Sequence, residues 1–131
     1  MLRRIPSSAS HSTTVLWADV AFECAVAVLA LIIATTGADA LGFSRIWLFG
    51  IAAAFAAAAI AIVPIARQPR TAIVAALAWG NMLGGVVLWC VLTFYWATWT
   101  PEARWLVAGI ADGFVVLGVL ELVLVRRGSF R

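Results

Sequence analysis

Apolar residues along this chain gather into four long blocks, about 14–35, 46–66, 71–97 and 103–126, divided by short polar stretches. Each block is close to the ~20 residues that cross ~30 Å of hydrocarbon at ~1.5 Å per residue. The blocks lack the alternating period of barrel strands, and in lipid only helices or closed barrels satisfy every backbone polar group. The pattern therefore predicts four membrane-spanning helices. The separating stretches, "TTGADALGFSR", "ARQPR" and "ATWTP", are too short to divide domains. The expected fold is all-α: one four-transmembrane-helix antiparallel bundle over 14–127, with a polar, basic tail at 1–13 and a short tail at 128–131.

Composition agrees with the pattern. The chain is 65% hydrophobic and 11% charged, against roughly 45–50% apolar residues in a soluble domain. Its net charge of +3 is a topology signal. Arg3, Arg4, Arg67, Arg70, Arg126, Arg127 and Arg131 flank helix ends that share one side, and only Arg45 and Arg104 flank the other. The positive-inside rule then puts both termini in the cytoplasm of a bacterial inner membrane protein, and no nucleic-acid footprint is read from the charge. The small-residue triplet "ADA" at 38–40 resembles a signal cleavage site, but Asp19 and Glu23 interrupt the preceding segment and argue against cleavage. Trp47, Trp96, Trp99 and Trp105 are expected near one interface and Trp17 near the other, whereas Trp79 and Trp89 lie deeper and are candidates to line an interior. Cys24 and Cys90 are expected at different depths, too far apart for a disulfide, as small buried residues.

Acids inside the blocks carry the chemical interest. An acid at the centre of a membrane helix costs ~2.5–3.5 kcal/mol on insertion scales and tends to be protonated, paired or hydrated. Asp19 and Glu23 are four residues apart and share one helix face. That face is expected to point into the bundle. Counted from the middle of each helix, Glu23, Asn81 and Asp112 fall within about 5 Å of the midplane, and Asp19 and Glu121 lie about 8–10 Å toward the cytoplasm. Nine residues separate Asp112 from Glu121, so the two sit on opposite sides of the fourth helix and only one can join the Glu23 group. Depth selects Asp112. The expected cluster is Glu23, Asn81 and Asp112, with Glu23 and Asp112 as proton donors or acceptors. Asp19, Asn81, Trp79 and Trp89 serve as relay or ligand-binding residues, and Glu121 snorkels toward Arg126 and Arg127. Gly80 with Gly84 and Gly109 with Gly113 form small-xxx-small pairs that let helices approach; the alanine-rich second helix serves as scaffold, bent or ended by Pro64.

The residue inventory excludes much. The single histidine, His11, is in the polar tail, so no metal site and no haem ligand is expected within the bundle. No cofactor is implied, and no phosphate-binding loop or hydrolase triad is present. Three functions fit what remains: proton-linked handling or transport of a small or lipophilic solute, acid-catalysed cyclisation or isomerisation of a terpenoid-like apolar substrate, and a non-catalytic place in a larger membrane complex. The partners implied are the lipid bilayer and a homo-oligomer or larger complex.

Four helices and an acid in the first invite comparison with small multidrug-resistance exporters, from which the extra acids and the second and third helices depart. The segments "LWAD", "AWGNMLGGVVLW", "TWTP" and "ADGFVVLGVLELVLVRR" resemble those of a diffuse set of small, uncharacterised bacterial four-helix integral membrane proteins. That resemblance implies the architecture and no activity. The cyclisation reading is similar in chemistry to membrane-embedded terpene cyclases, which use acids within a helical bundle.

Overall fold

A computed structural model describes residues 9–130 of the chain, with side chains from Thr13 onward. Arg3, Arg4 and most of the polar tail lie outside the described residues, as do the His11 side chain and Arg131. The described chain is helical: α1 (Ala9–Thr36), α2 (Ala38–Leu41), α3 (Arg45–Arg67), α4 (Thr71–Phe94) and α5 (Pro101–Arg126). Four of these helices, all except α2, are long and apolar enough to cross a membrane.

The helix boundaries have local causes. α1 is already helical at Ala9, ahead of its apolar block. α4 stops at Phe94 rather than continuing to 97, because residues 95–100 fold into a turn in which Tyr95 and Trp99 stack with ring centroids 5.3 Å apart. Thr100 is extended, as a residue before proline must be, and its hydroxyl accepts from the Ala103 amide to cap α5. Pro64 does not end α3, which runs on to Arg67. α2 is a single helical turn inside a stretch that reads as loop; Gly42 closes it with φ 79°, a left-handed conformation that glycine adopts without steric cost.

Packing divides the molecule into two helix pairs. α1 lies along α3 and α4 along α5, while α1 and α5 join the pairs over a shorter stretch and α3 and α4 scarcely meet. Leu16, Ala66, Val74 and Phe130 cluster at the end that carries the α3–α4 turn, where the Thr71 hydroxyl donates to the Phe130 carbonyl at 2.9 Å. Ala30, Ile33, Ala34, Ala38 and Leu48 cluster at the other end. There the two loops meet: the Thr100 amide reaches the Leu41 carbonyl, and Phe43 packs edge-on against Trp99.

The glycines divide into two groups. A Cβ on Gly85 would come within 2.8 Å of the Ala111 carbonyl, one on Gly113 within 2.5 Å of the Phe22 ring, and one on Gly118 within 2.6 Å of the Ala78 carbonyl. Gly80, Gly84 and Gly109 face open space. Close approach of α4 and α5 therefore depends on Gly85 and Gly118, and the expected small-residue pairs contribute only Gly113 to contacts within the chain.

Candidate functional site

The buried face of α1 carries Leu16, Asp19, Val20, Glu23, Val26, Ala27 and Ala30, an i, i+3, i+4 progression in which both acids point inward. Asp19 is fully buried and Glu23 is 4% exposed. Opposite them, Val74, Ala78, Asn81 and Gly85 form the inward face of α4, and Ala111, Phe114, Gly118 and Glu121 that of α5. The side-chain amide of Asn81 joins the three helices: Nδ2 donates to Asp19 Oδ2 at 3.2 Å and to Glu121 Oε2 at 3.1 Å. One amide nitrogen carries two hydrogens, so this geometry uses its full donor capacity.

The cluster is thus Asp19, Asn81 and Glu121, with Glu23 one helical turn along α1. It is not Glu23, Asn81 and Asp112. The reason is register. Across α4 and α5, Gly85 meets Ala111 and Val115, Met82 meets Gly118, and Asn81 meets Glu121. Asn81 and Glu121 both lie from the middles of their helices toward the end that carries the α3–α4 turn, whereas Asp112 lies on the other side of its helix middle, so a depth counted without its direction pairs the wrong acid with Asn81. Glu121 does not snorkel; it is fully buried, and the inward spacing of Ala111, Phe114, Gly118 and Glu121 is the sequence signal that places it.

Asp112 lies on the opposite side of α5, exposed, and accepts a hydrogen bond from Trp89 Nε1 at 3.1 Å. Trp79 and Trp89 are 59% and 43% exposed and do not line the interior. Cys24 and Cys90 are free thiols on the outer surface, correcting the expectation that they are buried. Only one ion pair occurs among the described residues, between Arg45 and Asp39 at 2.6 Å. Arg104 is held locally, donating to the Trp99 carbonyl at 3.0 Å and lying over the Trp96 ring.

Hydrogen bonding within the cluster is incomplete. Asp19 Oδ1, Glu121 Oε1 and Glu23 Oε2 are buried without a partner, a costly state for a polar atom. Three carboxyls and one amide offer more acceptors than donors, so a proton held between two carboxyls would supply a missing donor. Among the described residues no group of His, Cys, Asp and Glu is placed to hold a metal ion.

One turn beyond Glu23, Val26 begins the wall of an apolar cavity of about 660 Å³. It lies between the two helix pairs, toward the end bearing α2, and its lining includes the aromatic residues Phe43, Trp47, Phe55, Tyr95 and Trp99. Its size falls within the roughly 300–1,000 Å³ of small-molecule sites. Phe55, in the wall, packs against Phe114, and Phe114 packs edge-on against Phe22, so three rings run in contact from the cavity wall to Phe22, the neighbour of Glu23 on α1. Apart from Trp47 and Trp99, which draw notice as interface residues, these aromatics are inconspicuous in the sequence, because they are scattered over α3 and the two loops. In comparisons with protein-family models, curated proteins and solved structures, nothing matches this chain.

Proposed function

We propose that this protein is a bacterial inner membrane protein, with both termini cytoplasmic, that takes a lipophilic solute into the apolar cavity and couples its binding to a proton held by the carboxyls of Asp19, Glu23 and Glu121, with Asn81 hydrogen-bonded between Asp19 and Glu121. One observation carries the reading: a cavity of ligand size begins one helical turn from a buried carboxyl group whose oxygens are only partly satisfied. α3 and α4 scarcely meet, which leaves a lateral way in from the bilayer for an apolar molecule. The run of rings from Phe55 through Phe114 to Phe22 is the element whose movement would connect solute and proton.

The test is binding of a fluorescent aminoanthracene to the protein in nanodiscs. Saturable binding is expected, weakened by Leu106→Trp in the cavity wall and unaffected by Leu83→Trp on the exposed face of α4. In proteoliposomes loaded with a pH dye, adding the probe should shift the internal pH, and Asp19→Asn with Glu121→Gln should remove the shift while leaving binding. Partitioning no different from that into empty nanodiscs would sink the proposal.

The aromatic lining favours a second reading, in which Glu23 is the acid that protonates an apolar alkene or epoxide and the rings stabilise the developing cation. Incubation with a prenyl epoxide distinguishes the two, since only an enzyme converts it to a cyclised product lost in Glu23→Gln.

A further inference from the structure

The cavity is not uniform along its length. At its inner end the wall is Val26, Phe55, Leu88 and Ile110, one from each long helix, and none of them carries a polar side-chain atom. Every polar side chain of the wall is at the other end: Ser44, Trp47, Tyr95, Thr98 and Trp99, on the two loops and the first turn of α3. Along α3 the wall runs from Ser44 to Phe55, about 16 Å at ~1.5 Å per residue.

The polar end is equipped to bond an uncharged group. Ser44 precedes α3 without capping it, and Tyr95 lays its ring flat against Trp99. The described residues supply no partner for either hydroxyl, whereas that of Thr98 already donates to the Tyr95 carbonyl at 2.9 Å. A hydroxyl both donates and accepts, so the best complement to Ser44 and Tyr95 is a group that does the same. No charged side chain is in the wall. Arg45, next to Ser44, is paired with Asp39, and Arg104 is held by the Trp99 carbonyl and the Trp96 ring. An ionic head would find no counter-charge there, and a pure hydrocarbon would strip water from the hydroxyls and return nothing.

We infer that the solute is a single-chain aliphatic alcohol, bound with its hydroxyl at Ser44 and Tyr95 and its chain end at Phe55. This rests on the reading of the cavity as a solute site and adds the chemistry and the direction of its occupant. Tryptophan and tyrosine mark the membrane–water boundary, which is where an amphiphile in the bilayer already keeps its head. An alcohol can therefore slide in sideways between α3 and α4, head at the boundary and chain in hydrocarbon, without turning over. The volume, about 660 Å³, is that of a small-molecule site rather than of a two-chain lipid.

Competition against the fluorescent aminoanthracene in nanodiscs tests this, with n-decanol, n-decane, decanoate and decylammonium compared at equal mole fraction in the lipid. Decanol should displace the probe about tenfold more effectively than decane, the worth of one hydrogen bond, and more effectively than either ion. Ser44→Ala with Tyr95→Phe, which removes no cap and keeps the ring stack, should erase that preference and leave displacement by decane unchanged. A decanol analogue with a diazirine at its methyl end, photolysed in the nanodisc, should label the chain around Phe55 and Ile110; one with the diazirine beside the hydroxyl should label residues 95–99. Decane or an ion competing as well as decanol, a preference that survives the double variant, or methyl-end label at residues 95–99 would each overturn the alcohol while the solute site stands. Absence of saturable probe binding would remove the solute site itself, and the alcohol with it.

Discussion

Asn81 is the residue on which the carboxyl cluster turns, because its one amide nitrogen serves carboxylates from two other helices. Asn81→Leu is expected to lower stability by about 1–3 kcal/mol, the cost of leaving buried acceptors unsatisfied, as read by thermal unfolding in detergent. Replacing Asp19, Asn81 and Glu121 together by leucine should return stability to the wild-type level or above it, since exchanging a whole buried polar group for apolar side chains is often neutral or favourable. The triple variant should also lose the probe-induced pH shift. A triple variant as unstable as Asn81→Leu would mean that the cluster is chiefly structural glue. At this scale the sequence was only half legible. The four-residue spacing of Asp19 and Glu23 showed their common inward face, and the nine-residue spacing of Asp112 and Glu121 showed that they part. Which of the two faces inward depended on the side of the helix middle on which each acid lies and on the spacing of Ala111, Phe114, Gly118 and Glu121 along α5, neither of which an unsigned depth takes into account.

At the scale of the element, long apolar blocks settle the helices almost unaided, since a backbone in hydrocarbon has little other choice. The four spans are found within a few residues of where hydropathy puts them. What hydropathy does not resolve is which small residues pack, because glycine at a contact and glycine facing lipid look alike in sequence. Gly85→Ala should therefore destabilise the α4–α5 pair by about 1–3 kcal/mol, the usual penalty of overpacking, because its Cβ would press on Val115 and on the Ala111 carbonyl. Gly84→Ala, its neighbour in open space, should stay within about 0.5 kcal/mol of wild type. Unfolding of the two variants side by side in the same detergent gives the comparison. α2 escaped the sequence reading for a different reason: one turn closed by Gly42 and held by the facing loop has no periodicity to detect.

For the whole molecule, the arrangement is two helix pairs fastened to each other mainly along α1 and α5. Asp19 stands on one pair and Asn81 and Glu121 on the other, so the polar cluster is a fastener between them as well as a candidate relay. If the chain is cut between Gln68 and Pro69 and the two pieces are co-expressed, they should copurify, and Asn81→Leu should weaken their association. Copurification unchanged by Asn81→Leu would place the fastening in the apolar contacts instead. The cavity follows from the same division, since two pairs joined along one flank leave space between them on the other. No single helix foretells it.

The span of chain between the cluster's members also sets a timetable. Asn81 comes 62 residues after Asp19, and Glu121 a further 40 after Asn81. At about 5–20 residues per second of synthesis, Asp19 is made on the order of ten seconds before Glu121 and its helix are available. Until Asn81 is made the first helix carries two acids without the amide that later bonds Asp19, and until α5 follows the cluster still lacks Glu121. The first helix must wait beside the insertion machinery, at the membrane edge, or under the care of a chaperone. Newly made chains halted before α5 are therefore the form most exposed to proteolytic quality control, and Asp19→Leu should lengthen their survival in the cell.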